Sequence, residues 1–139
     1  MELIANALQT VEQGANIQFS DEAVCGCDSI LHRSGSGLVT LRGITSQCRA
    51  RFRAFFSANI AIPAGGTVGA ISVAISVNGE PVESTTMIQT PAAVSEFANV
   101  ASAVYLDVPS GCCLSISVRN TSSQAIEVQN ANLIVERVA

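Results

Sequence analysis

Lysine and tryptophan are absent from this chain, and histidine and tyrosine occur once each. Each scarcity closes a class of function. One histidine, His32, cannot supply the histidine cluster with which a cupin-type enzyme holds its metal. All seven basic residues are arginines, the net charge is −4 and the pI is 4.8, a balance that argues against a nucleic-acid surface. Ser, Asn, Thr and Gly interrupt every apolar stretch before the roughly 18 to 20 residues that a membrane helix needs. Charged residues make up 13% of the chain, about half the roughly 25% of an ordinary soluble domain. With a mean hydropathy of +0.40, that charge is too sparse to cover a monomer, so part of the surface is expected to lie in subunit contacts. A length of 139 residues suits one domain with a real core.

What is present is alternation. From Cys48 to Ile60 every even position is apolar, and Arg49, Arg51 and Arg53 occupy the first odd positions. Strand side chains point alternately to two faces. Cys48, Ala50, Phe52, Ala54, Phe56, Ala58 and Ile60 are therefore expected on a core face, with an arginine ladder behind it. The ladder could track phosphates, but without further basic or aromatic residues it is read as pairing with carboxylates on neighbouring strands or subunits.

Other segments follow the same rule. Ser34-Gly-Ser-Gly37 separates Ser29–His32 from Leu38–Arg42 and suits a hairpin tip. Residues 68–77 alternate, with Ile71, Val73, Ile75 and Val77 on one face and Ser72, Ala74 and Ser76 on the other, small enough for close packing against a sheet or subunit. Asn78-Gly79 predicts a tight mirror-type turn into Val82–Gln89. An extended segment over 93–108 ends at the turn Pro109-Ser-Gly111; Leu114, Ile116 and Val118 alternate with polar residues, Asn120–Gln124 reads as a loop, and 125–138 as the closing strand or strand pair. Leu3, Ile4, Ala7, Leu8 and Val11 stand at helical spacing, although an extended arm docking on a neighbour is the preferred reading of residues 1–16. Roughly eight to ten strands with Gly, Pro and Asn turns point to a β-sandwich or jelly roll.

Candidate chemistry is sparse. Cys25, Cys27, Cys48, Cys112 and Cys113 could offer thiolates to zinc, but the pairs are spaced one and zero residues apart rather than as Cys-x-x-Cys. Their plainer reading is a core Cys48 and partly buried small fillers elsewhere. An acidic start without a long apolar run predicts cytosolic synthesis and reduced cysteines. His32 lacks any nucleophile motif and reads as a loop or strand-end residue. Asp21, Glu22, Asp28, Glu80 and Glu83 carry no calcium-loop pattern and read as solvated loop charge. Asn120-Thr-Ser122 reads as a polar loop. No catalytic, cofactor-binding or metal-binding residue is assigned, and no cofactor.

The order of pieces resembles the C1q and tumour-necrosis-factor-like jelly roll. The elements are Gly14-Ala-Asn-Ile-Gln-Phe19, the Gly-rich hairpin into Leu38-Val-Thr-Leu41, the long strand ending Phe56-Ser-Ala-Asn-Ile60, then Ile71 to Asn78-Gly79 and Asn130-Ala-Asn-Leu-Ile-Val135. More narrowly it is similar to small proteins of that fold in bacteriophages and prophages of Gram-positive hosts, and to the heads of spore-surface collagen-like proteins. The resemblance implies an all-β homotrimer packed around a three-fold axis, with an arm at residues 1–16 and the jelly roll at 17–139. Without a collagen-like stalk, it implies a non-enzymatic capsid decoration protein on a virion surface. The partners so implied are further copies of the chain and a capsid or other large assembly. The alternative is a receptor- or carbohydrate-binding knob of a fibre or spore surface.

Overall fold

The computed structural model describes all 139 residues. Twelve strands run through the chain: β1 (Glu2–Ala5), β2 (Gln9–Val11), β3 (Asp21–Val24), β4 (Ile30–His32), β5 (Val39–Arg42), β6 (Arg49–Ala61), β7 (Ile71–Val77), β8 (Glu80–Pro81), β9 (Met87–Gln89), β10 (Ala98–Pro109), β11 (Cys113–Asn120) and β12 (Ile126–Arg137). They form two sheets. The first has the order β10-β6-β12-β1-β3 with β2 also on β12, and the second β4-β5-β11-β7-β8 with β9 also on β7. Every named strand pair is antiparallel. The count exceeds the expected eight to ten because the amino-terminal segment supplies two strands and the region after Asn78 is divided into short pieces.

Alternation dictates the core. In β6, Ala50, Phe52, Ala54, Phe56, Ala58 and Ile60 are all fully buried. They meet Leu41, Ile71, Ile75, Ile116 and Val118 of the second sheet in one cluster. Ala54 between the two phenylalanines, with Ala50 and Ala58 on either side of them, leaves room for the rings, and Phe19 meets Phe56 edge-on at 6.4 Å between centroids. Such an aromatic contact contributes about 0.5–1.5 kcal/mol beyond the area it buries. Cys48 departs from the expected core face: it precedes β6 and is exposed. The parity is right, but the sandwich ends at Arg49, so the next even position projects past the core.

The amino-terminal segment is extended rather than helical, as the preferred reading had it, but it is corrected in one respect: residues 1–16 are not an arm separate from the domain. β1 pairs with both β12 and β3, β2 pairs with β12, and Leu3, Ala5 and Val11 join the core. Leu3 and Ala5 point inward while Ile4 is only half-buried, which is strand spacing inside a stretch that also fits a helix. Edge-to-edge pairing with β12 satisfies backbone groups that a short, uncapped helix would leave open. The same segment is anchored by Asn120, whose side-chain amide donates to the Val11 carbonyl at 3.0 Å and the Gln124 carbonyl at 3.0 Å. Its Oδ1 accepts from the Ser122 amide at 2.9 Å. The polar loop read at 120–124 is thus pinned by a buried hub.

Turn chemistry falls where the residues demand it. Asn78 (φ 50°) and Gly79 (φ 85°) both occupy the left-handed region required by the two-residue turn. The returning strand differs from expectation: β8 has only two residues, and a 3-10 turn at Glu83–Thr85 intervenes before β9 pairs back on β7. The Val82 amide still donates to the Ile75 carbonyl at 2.9 Å, and the chain then leaves the sheet as the Thr85 amide donates back to the Val82 carbonyl at 2.9 Å. In β12 the inward positions switch from Ile126 and Val128 to Ala131, Leu133 and Val135. A bulge between Gln129 and Asn132, with Asn130 at φ 55°, absorbs the change of phase.

Candidate functional site: the open face of the first sheet

The outward face of the first sheet is built from the odd positions of β6 and β10, the even positions of β12 beyond its bulge, and Glu2 and Ile4 of β1. Its cross-strand rows follow from register. At one end, the Asn99 side chain donates to Asn59 at 3.3 Å and Asn59 donates to Asn130 at 3.3 Å, an asparagine ladder across three strands. In the middle lie Ala103, Phe55 and Ile134 in one row, with Ile4 on the adjoining strand and Tyr105 one row on. Phe55, Ile134 and Ile4 are half-buried, and Tyr105 is 65% exposed.

The other end carries the arginine ladder. Arg51 grips Asp107 through two bonds, Nε to Oδ1 at 2.8 Å and Nη2 to Oδ2 at 3.1 Å. Arg49 Nε reaches the same carboxylate at 3.1 Å, and Arg53 meets Glu136 at 3.4 Å. The Arg53 guanidinium also lies 5.9 Å from the Phe55 ring centroid, within range of a cation–π contact. Hydrogen bonding from Arg51, reinforced by its charge and that of Arg49, holds the Asp107 carboxyl below its ordinary value, and the same pair raises Arg51. The expected pairing of the ladder with carboxylates on adjacent strands is what the geometry contains. Glu2, held by the Asn132 amide at 2.8 Å, adds a third acid to the face. Three arginines are thereby balanced by Glu2, Asp107 and Glu136, so the face carries little net field.

The other singled-out residues lie elsewhere. His32 is on the core side of β4, its side chain fully buried, with Nε2 2.9 Å from the Ser36 carbonyl. Glu22 stands 3.7 Å from Nδ1, beyond hydrogen-bond length, which leaves that nitrogen unpartnered. Ser, His and Glu are therefore close together, yet the Ser36 hydroxyl accepts from the Leu38 amide and it is the serine carbonyl that faces the imidazole. No nucleophile–base bond exists in that arrangement. All five cysteines are free and exposed, which corrects their reading as core and partly buried fillers. No group of three or more His, Cys, Asp or Glu side chains is positioned to hold a metal ion. Asp21 and Glu22 lie in β3 and Glu80 in β8 rather than in loops, whereas Asp28 lies in a loop and Glu83 in the 3-10 turn.

Sequence reasoning found the arginines but not the apolar patch beside them. Part of the signal was available: the odd positions after Arg53 continue as Phe55, Ser57 and Asn59, so the ladder's own face loses its charge halfway along β6 and carries one large apolar side chain, Phe55. The asparagine ladder needed the register of three strands and the bulge at Asn130.

No family model and no curated protein matches the chain. Among solved structures, the globular domain of zebrafish complement 1qA protein superposes with a TM-score of 0.62 at 13% identity, over 96% of this chain and 93% of that one. CBM35 from Cellvibrio japonicus Abf62 gives a TM-score of 0.43 at 9% identity, over 100% of this chain and 98% of that one. The first likeness, with the two antiparallel sheets described above, assigns the fold: the chain is a jelly-roll β-sandwich of the C1q type.

Proposed function

We propose that this chain is a non-catalytic binding domain that assembles with itself, as a homotrimer, through the open face of the first sheet. The observation that carries the reading is the apolar centre of that face, Phe55, Ile134, Ile4 and the 65%-exposed Tyr105, framed by charges already paired within the chain. An interface core of apolar and aromatic residues with a balanced polar rim suits burial against neighbouring copies of the chain around a three-fold axis better than contact with a charged polymer. Within this reading the domain serves a larger assembly, as a head-stabilising decoration protein on a phage or prophage capsid, displayed at the virion surface. A receptor- or carbohydrate-binding knob would call for neighbouring exposed aromatics. The two exposed aromatic side chains, Phe97 and Tyr105, stand eight residues apart along extended chain, about 26 Å.

Light scattering on the purified chain tests the assembly. Three 14.4 kDa subunits are expected at micromolar concentration, with a monomer for Tyr105→Glu at an unchanged unfolding temperature. A wild-type monomer overturns the proposal. Mass spectrometry of particles released by prophage induction tests the capsid role, which fails if the chain is absent from gradient-purified particles.

A further inference from the structure

The five cysteines, scattered in sequence, come together at one end of the sandwich. Cys25 and Cys27 lie in the β3–β4 loop, Cys48 closes the β5–β6 loop, and Cys112 and Cys113 lie at the β10–β11 turn and the start of β11. Backbone bonds tie the β5–β6 loop to the β10–β11 turn: the Cys112 carbonyl accepts from Gly43 at 2.9 Å and the Cys48 carbonyl from Ser110 at 3.0 Å. Within the β3–β4 loop the Cys27 carbonyl accepts from Ile30 at 3.0 Å, a local turn. Cys113 is the register partner of Arg42, whose amide donates to the Ser29 carbonyl at 2.7 Å, placing Ser29, where the β3–β4 loop enters β4, two strand spacings, about 10 Å, from Cys113. Gly43 fits against the turn only because it lacks a side chain: a Cβ there would collide with the Pro109 carbonyl.

Two further facts bear on what this end meets. None of the thiols is bonded, and five is odd, so at least one remains free however the chain pairs internally. Val24, Ile44 and Val138 are exposed at the same end, 56%, 46% and 45% respectively, beside charges of both signs, Asp28 with Arg42 and Arg137. An apolar surface of mixed charge suits a copy of itself.

We propose that this end of the sandwich is a covalent junction, at which exposed thiols of two copies of the chain join by intermolecular disulfide. The oxidant is a low-molecular-weight disulfide such as oxidised glutathione. A thiolate of one chain attacks it, forming a mixed disulfide and expelling one glutathione thiolate. A thiolate of the second chain then attacks the protein sulfur of that mixed disulfide and expels the second. One S–S bond forms as one breaks; two protein thiols are oxidised and glutathione disulfide is reduced to two thiols. The junction uses the loop end of the molecule, not the face assigned to trimer formation, so it stands without that assignment.

The test treats the reduced full-length chain with oxidised glutathione, quenches with an alkylating agent and measures covalent mass under denaturing, non-reducing conditions. Covalent dimers that disappear on reduction are expected, with linked peptides drawn from the three loops. They should form faster from the folded chain than from the same chain in urea. The quintuple variant Cys25→Ser, Cys27→Ser, Cys48→Ser, Cys112→Ser, Cys113→Ser should lose all covalent dimer and keep its unfolding temperature, since all five positions are exposed. Glutathione adducts or intrachain bridges alone, or cross-linking no faster when folded, overturn the proposal. Covalent mass also separates this outcome from the fate of the non-covalent trimer.

Discussion

The two sheets turn very different surfaces away from the core. The first presents Tyr105, Phe55, Ile134 and three arginines; the second presents, along β7 and β11, Ser72, Ala74 and Ser76, with Arg119 opposite Ala74 and Ser117 opposite Ser76. Burial separates them further. Ala74, Ser76 and Ser117 are closed off by the chain's own atoms, although their strand parity is outward. The Arg119 guanidinium donates to the Gly79 carbonyl at 2.9 Å, binding the hairpin tip to that region, and Thr85 Oγ1 accepts from the Ile75 amide at 3.0 Å. On β7 and β11, then, small residues mark a strip that the protein covers for itself, while Ile88 of β9 and Leu31 of β4 stay exposed at the margins of that sheet. On the first sheet the bulky residues stand at the centre of the face and are left open.

The largest effect calibrates what burial is worth here. Phe52→Ala removes a fully buried ring from β6 and should cost about 3–5 kcal/mol in urea unfolding, because the packed neighbours cannot collapse into the space. A loss under about 1 kcal/mol would mean that β6 does not face a close-packed core. The next pair probes the comparison directly. Ser76→Leu places two extra heavy atoms where the outward face is already closed and should destabilise by about 1–3 kcal/mol. Ala103→Leu adds bulk at an exposed position of the open face and should change stability by no more than about 0.5 kcal/mol. Equal responses at the two sites would erase the distinction between a covered and an open face.

Much of this architecture was legible because period-two patterns are unambiguous where both faces differ. Residues 49–61 belong to that class, and the Asn78-Gly79 turn and the Pro109–Gly111 reversal were legible from residues that favour positive φ, 85° at Gly79 and 79° at Gly111. Reading was ambiguous where one pattern fits two structures, as at Leu3 to Val11, and failed where a pattern outruns its element. Cys48 keeps the parity of the core but projects past it. The functional face was half-legible: one strand displays the arginines and Phe55, but Ile134, Tyr105 and Asn130 arrive through strand order and a bulge that no local pattern encodes. The gathering of five cysteines at one end is a property of topology alone, since they span residues 25 to 113.

Reversing one charge on the open face should separate assembly from folding. Arg51→Glu sets a carboxylate opposite Asp107, its register partner, and breaks the balance of three arginines against three acids. Both side chains are solvent-accessible, so the thermal midpoint should stay close to that of the wild type. Self-association, read by sedimentation, should weaken at least about tenfold as unpaired like charges meet across the interface. Loss of the fold together with the assembly would place the ladder in the structural core of the subunit instead.

The smallest expected effect is a shift in titration. Asp107 is held below its ordinary 3.8, chiefly by hydrogen bonds from Arg51. A depressed carboxyl adds stability that is fully present above its unfolded value and is lost as pH falls through the folded one, so the window lies below 3.8. Followed by the Asp107 carboxyl carbon resonance, the midpoint should lie under 3.8 in the wild type and rise toward it in Arg51→Met, with Arg49 retaining a remnant of the shift. An exposed pair of this kind is screened by salt, and raising the ionic strength should move the wild-type midpoint in the same direction. A midpoint indifferent to both changes would mean that the two-bond grip is not kept in solution, and the open face would then present its arginines unpaired to whatever docks there.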